Sequence, residues 1–259
     1  MNGYVYNSLA MAEKVHLKNA PITEAIIDFR IKPAIEIPPN KLSEIEEKIG
    51  KAYPTRERRD LFEGKMEFVP SQRRLSQTAH DKGLYGFFFK SADGKNIAQF
   101  RVDGFTFNRL KPYTSWSKIF NEATRLWKLY KNLLIPQSVS RIAVRYINHL
   151  EFPSPVIELS KYLTVPPQVP DKIPNKISKF LSQVVVVDEE SGIISNITQA
   201  SEPGTNLQKA IIILDIDVFK ACDLDPDNLE IQKIFKNLRE KKNLIFFEHI
   251  TQETVELYK

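Results

Sequence analysis

Ile22-Thr23-Glu24-Ala25-Ile26-Ile27-Asp28-Phe29-Arg30-Ile31 decides the fold. Thr23, Ala25, Ile27, Phe29 and Ile31 fall on one side of an extended chain. Glu24, Asp28 and Arg30 share the other side with Ile22 and Ile26. A period of two with one apolar side is the signature of a half-buried strand.

Downstream, Pro38-Pro39-Asn40 leads into Lys41 to Tyr53, where Leu42, Ile45 and Ile49 recur at helical spacing and predict a short amphipathic helix. Strand-like runs follow at Leu61 to Val69, Leu84 to Phe89, Ile97 to Val102 and Phe105 to Leu110. Ala92-Asp93-Gly94-Lys95 carries the Asp-Gly signal of a hairpin, so two of these strands pair antiparallel. From Ser115 the period changes: Trp116, Ile119, Phe120, Ala123, Leu126, Trp127, Tyr130 and Leu134 form one helical stripe, with Thr114 or Ser115 as cap and Pro136 as stop.

The order then repeats. A strand is expected at Val139 to Phe152, a short helical or turn-rich piece at Val156 to Tyr162, and a Pro-rich connector at Val165 to Pro174. Strands at Phe180 to Asp188, Ile193 to Gln199 and Leu207 to Val218 come next. Asp225-Pro226 predicts the cap and first turn of a long C-terminal helix marked by Leu229, Ile231, Ile234, Phe235, Leu238, Ile245 and Phe246. The reading is an α+β protein of two similar halves. Each half runs strand, short helix, antiparallel strands, long amphipathic helix packed on its sheet, as an internal duplication would give. Residues 1–16 are expected to be a flexible extension, 17–136 the first half and 137–259 the second, packed as one compact unit or as two. Met11 offers an alternative start.

Composition bounds the chemistry. With 42% hydrophobic and 27% charged residues the chain has material for a core and is far from the signature of disorder. Cys222 is the only cysteine, which rules out an intrachain disulfide and points to a reducing, cytoplasmic setting. The apolar runs, such as Ile211 to Leu214 and Val184 to Val187, fall short of the ~18 residues of a spanning helix, so no membrane is expected. The first ten residues do not resemble a secretory signal. The 37 basic against 32 acidic residues leave +5, which permits an anionic partner without requiring one.

The run Leu17-Lys18-Asn19-Ala20-Pro21-Ile22-Thr23-Glu24-Ala25-Ile26, with Arg30 after it, resembles the opening motif of a sporadically distributed family of uncharacterised prokaryotic proteins. Phe107 to Trp116, Arg145-Tyr146-Ile147-Asn148 and Phe247-Glu248-His249-Ile250-Thr251 match the same pattern. His149 departs from it, standing where a basic residue such as Arg is expected. The resemblance implies no activity and transfers no catalytic residue. The family's patchy distribution implies mobile or defence-associated genes.

Neither a Gly-rich phosphate loop nor G-x-S-x-G is present, and His16, His80, His149 and His249 are scattered without zinc-ligand spacing. No cofactor is expected. Three weaker constellations remain. Glu24, Asp28 and Arg30 on the first strand, with Arg141, Arg145 and His149 at related spacing on its counterpart, form either an ion-pair network joining the halves or an anion-binding or acid-base cluster in a cleft between them. Arg56, Arg58, Arg59, Arg73 and Arg74 form a basic stretch that reads as solvated surface or as a nucleic-acid contact. Asp215 and Asp217, on one strand face, are expected in solvent, with Mg²⁺ or Ca²⁺ binding as the weaker alternative for want of a third ligand. The leading expectation is a non-enzymatic binding or accessory protein with a protein partner or self-association. Ligand binding in the cleft and nucleic-acid binding are the alternatives.

Overall fold

The structure, a computed structural model, describes residues 12–33, 39–69, 74–153, 158–170, 172, 177–202 and 209–259, with 39–40, 65–69, 74–81 and 209 described as backbone. The fold is α+β. Nine strands form one antiparallel sheet: β1 (Ile22–Lys32), β2 (Thr55–Val69), β3 (Arg74–Lys90), β4 (Asn96–Arg101), β5 (Gly104–Leu110), β6 (Ser138–Pro153), β7 (Leu181–Asp188), β8 (Ile193–Glu202) and β9 (Lys209–Leu224). Their order is β2-β3-β4-β5-β1-β6-β9-β8-β7. Two long helices, α3 (Trp116–Leu134) and α4 (Glu230–His249), pack on it.

The opening stretch behaves as its alternation requires. Ala25, Ile27, Phe29 and Ile31 are buried, and β1 bonds to β5 on one side and to β6 on the other. This corrects the expectation of twin sheets with a cleft between them. Unpaired edges on β1 and β6 would leave two rows of buried backbone groups without partners, and pairing them antiparallel, with Ile26 opposite Arg145, merges both halves into one sheet. The approach of β5 is close. A Cβ at Gly104 would come within 2.1 Å of the Phe29 carbonyl oxygen, so that position accepts only glycine.

The helical stripe read from Trp116 onward is α3. Ser115 caps it by accepting the Lys118 amide at 3.4 Å, and Ile135, in the left-handed region ahead of Pro136, ends it. Phe29 is the point where the layers meet: Trp127 of α3 stacks on it at 4.2 Å and Phe235 of α4 packs at 5.0 Å. Both rings are buried, so one β1 side chain ties the sheet to both helices.

Three local expectations change. The helix expected over Lys41 to Tyr53 is broken into α1 (Pro39–Ser43), α2 (Ile45–Ile49) and a 3-10 turn at Gly50–Ala52. Gly50, at φ 58°, turns the chain out of the helix while Leu42, Ile45 and Ile49 stay buried. The piece expected at Val156 to Tyr162 is a 3-10 turn at Leu159–Lys161, with residues 154–157 outside the description. Asp225 does not cap α4. Its carboxylate accepts the Asp227 amide and Asn228 accepts the Glu230 amide, so the two close a turn that delays the helix to Glu230. A last short helix, α5 (Gln252–Glu256), is capped by Thr251. Of the expected N-terminal extension, Ala12 and Val15 pack against the core and the Glu13 amide donates to Gln252; residues 1–11 lie outside the description. Among the described residues no helix is long and apolar enough to cross a membrane.

Candidate functional site

Strand alternation puts β1's charged residues on the sheet face opposite α3 and α4. Asp28 lies at their centre and is 7% exposed. Its carboxylate takes Arg141 at 3.1 Å, Arg101 at 3.2 Å, Arg30 at 3.3 Å and the Thr106 hydroxyl. Asp103 takes Arg101 at 3.0 Å, Arg30 and the Tyr85 hydroxyl. Beyond Arg141, Asp217 is 3.0 Å away, and Arg145 meets Asp215 at 2.8 Å. All of these groups except Asp103, Tyr85 and Asp215 line a concavity of about 540 Å³ across β4, β5, β1, β6 and β9. Burial works against the charge on Arg30, but Asp28 and Asp103 leave its guanidinium harder to deprotonate than usual. Burial raises Asp217 above the ordinary carboxylate range, with Arg141 and Arg145 opposing it.

Of the six residues predicted for this cluster, Asp28, Arg30, Arg141 and Arg145 line the concavity. Glu24 reaches it through Asn108, whose amide donates to its carboxylate. His149 is not brought in: it sits beside Glu202 at 3.5 Å, in a second concavity with Pro21 and Tyr258. Asp215 and Asp217 are not the solvent-facing pair expected, because their side chains are 16% and 20% exposed and each faces an arginine. Among the described residues no group of three or more His, Cys, Asp or Glu is placed to hold a metal. Sequence reasoning missed Arg101, Gln99, Thr106 and Asn108. The signal was available, since these polar residues alternate at period two with the buried Ala98, Phe100, Phe105 and Phe107. Each arginine here already has a carboxylate, so the cluster acts as a seam stitching β6 and β9 to β1, β4 and β5.

The two edges of the sheet differ. β2, at one end, is charged, and the cations whose side chains are described have acids: Arg56 with Glu46, Arg58 with Asp60 at 2.7 Å and Arg59 with Glu57 at 2.9 Å. Of the basic stretch, Arg73 and the Arg74 side chain lie outside the description. β7, at the other end, is bare and apolar. Leu181 is 74% exposed and Val184, Val185, Val186 and Val187 are 46–59% exposed, so both faces of the strand are open. α4 covers β6 and β9.

A third feature lies under α4. Lys242 is 7% exposed, its ammonium 3.7 Å from the centre of the Tyr146 ring and 2.5 Å from the Asn243 side-chain oxygen. Burial, reinforced by Arg239, lowers its pKa to about 7. It lines a cavity of about 350 Å³ with Tyr113, Tyr146, Asn148, Arg239 and the N-terminal segment around His16. The Tyr146 hydroxyl lies 3.2 Å from that of Tyr113, and burial holds both phenols above their usual range. Nothing in the sequence reading pointed to Lys242, which sits in the charged run Arg239-Glu240-Lys241-Lys242. Only helical phase exposes it, four residues after Leu238 and seven after Phe235, both buried.

No family model and no curated protein matches the chain.

Proposed function

We propose that the chain is a non-enzymatic binding protein that works as a pair of copies joined along β7. The observation that carries the reading is that edge. A long, exposed, hydrophobic edge strand invites pairing with another chain, and proteins ordinarily blunt such edges with charge, as this one does along β2. A second copy fits by charge. If β7 pairs antiparallel with itself about Val184, Lys179 just before its start faces Glu189 just past its end, and Leu181 faces Val187. The valines of the two copies then cover one another, and the open row of backbone groups is filled.

Three finer readings go with this proposal. On either side of the β1–β6 pair the order runs the same way, β1-β5-β4-β3-β2 against β6-β9-β8-β7 with one extra strand in the first series, which supports an internal duplication. The four stretches that resemble the prokaryotic family contribute Leu17, Pro21, Tyr113, Tyr146, Asn148 and Phe247 to the wall of one cavity, and the mobile or defence-associated locus rests on that resemblance alone. Cys222, the lone thiol, is partly buried against the Val139 carbonyl, in keeping with a reducing, cytoplasmic setting.

Sedimentation of the full chain over a range of concentrations tests the pairing. A dimer is expected at micromolar protein. Val184→Lys, which sets two like charges opposite each other on the axis, should give monomers. Lys179→Glu should weaken the dimer and Lys179→Glu with Glu189→Lys should restore it. A wild-type chain that stays monomeric throughout overturns the reading.

A further inference from the structure

The cavity under α4 is independent of the β7 edge, and its wall has one sign of charge. Lys14, His16 and Arg239 are exposed at its mouth and Lys242 is buried in its floor, while among the described residues no Asp or Glu lines it. A buried ammonium without a carboxylate is held against a large desolvation cost. Elsewhere among the described residues buried charge is paired, as the arginines around Asp28 show. Between floor and mouth the lining is apolar: Val15, Leu17, Ile22, Phe246 and Phe247. The Tyr113 hydroxyl, which can accept from Tyr146, then keeps its own proton to donate.

We propose that this cavity binds a small organic carboxylate with an apolar body, its carboxylate set against the Lys242 ammonium and the Tyr113 hydroxyl and its body along Val15, Leu17 and Phe246. One buried cation matches one negative charge, which favours a monocarboxylate over a phosphate dianion. The volume, the apolar wall and the few convergent polar groups are those of a small-molecule site. Binding brings Lys242 the counter-charge it lacks, so above neutral pH the complex takes up a proton that the free protein does not hold. The titratable and charged groups facing it are Lys14 and His16 from the N-terminal segment, Tyr113 ahead of α3, Tyr146 on β6 and Arg239 on α4.

Calorimetric titration of the full chain with hexanoate, at pH 8 in two buffers of different ionisation heat, tests this. Saturable binding with proton uptake is expected, at least tenfold tighter than for hexanamide, which has the same body without the charge. Lys242→Met, which removes the desolvation cost and should leave the fold intact, should weaken hexanoate at least tenfold and abolish the proton uptake; Arg239→Gln, at the mouth, should weaken it less. Equal binding of the amide, unchanged binding by Lys242→Met, or no binding of hexanoate overturns the proposal. So does Lys242 labelled by hexanal and borohydride in a protein that ignores hexanoate, since that outcome makes the amine an imine-forming nucleophile.

Discussion

Asp28 and Lys242 are both charged side chains with 7% of their surface exposed, on opposite faces of one sheet. Asp28 has three arginines and a hydroxyl. Lys242 has one amide oxygen, an aromatic face and a cation for a neighbour. Both ions cost several kcal/mol to take out of water, and only the first recovers that cost from charge partners. A buried charge completed by its neighbours belongs to the architecture. One left incomplete draws an outside partner, which is why the charged seam, for all its arginines, is the poorer candidate for a ligand.

Removing the charge at each position should move stability in opposite directions. Asp28→Asn leaves Arg30, Arg101 and Arg141 facing a neutral amide, and should cost about 3–5 kcal/mol by denaturant titration. A loss under ~1 kcal/mol would mean that water already screens the cluster. Lys242→Met should instead raise stability at pH 7, by about 1–4 kcal/mol, because a hydrophobic side chain fills the same space without desolvation. The comparison fails if both variants lose stability.

The pH dependence sharpens it further. The Lys242 pKa is near 7 in the folded protein and near 10.5, the ordinary lysine value, in the unfolded chain. Between those values the unfolded chain holds the extra proton, so stability rises with pH. Below about 7 both states are charged and the destabilisation is fully present; as pH rises toward the ordinary value it is relieved. The wild type should therefore close on Lys242→Met by up to about 1.4 kcal/mol per pH unit through this window. Taking the difference between the two proteins cancels groups they share, including His16 and Tyr113 at the cavity. A pH-independent gap would place the lysine in water.

The two charges were not equally legible. Asp28 could be read because a strand's period of two sorts side chains by face within a few residues, and the charged side of β1 had to meet something. Arg141 and Arg145 followed from the same alternation on β6. What alternation leaves open is which strands become neighbours. That β4 and β5 would supply Arg101 and Thr106, and that β6 would bond directly to β1, are facts of long-range pairing. Lys242 was hidden for another reason. Three charged residues, Arg239, Glu240 and Lys241, immediately precede it on α4, and such a run reads as a wetted helix face until Leu238 and Phe235 fix the phase. The exposure of the β7 valines was not legible either, since four in a row ordinarily mark a strand covered on both sides, yet here they are open.

The smallest effect lies at the rim of the seam. Arg145 is half in solvent, with its side chain 44% exposed, and its partner Asp215 is 16% exposed. Hydrogen bonding to Asp215 raises the Arg145 pKa against the effect of burial, but an ion pair open to water on one side is typically worth only about 0.2–1 kcal/mol. Arg145→Gln should cost no more than about 1 kcal/mol, and 1 M salt should erase most of the difference, whereas the Asp28→Asn penalty should persist in salt because its partners are screened by protein. Equal salt sensitivity of the two variants would mean that the seam is wet from end to end, and Asp28 would then no longer count as a charge completed by the fold.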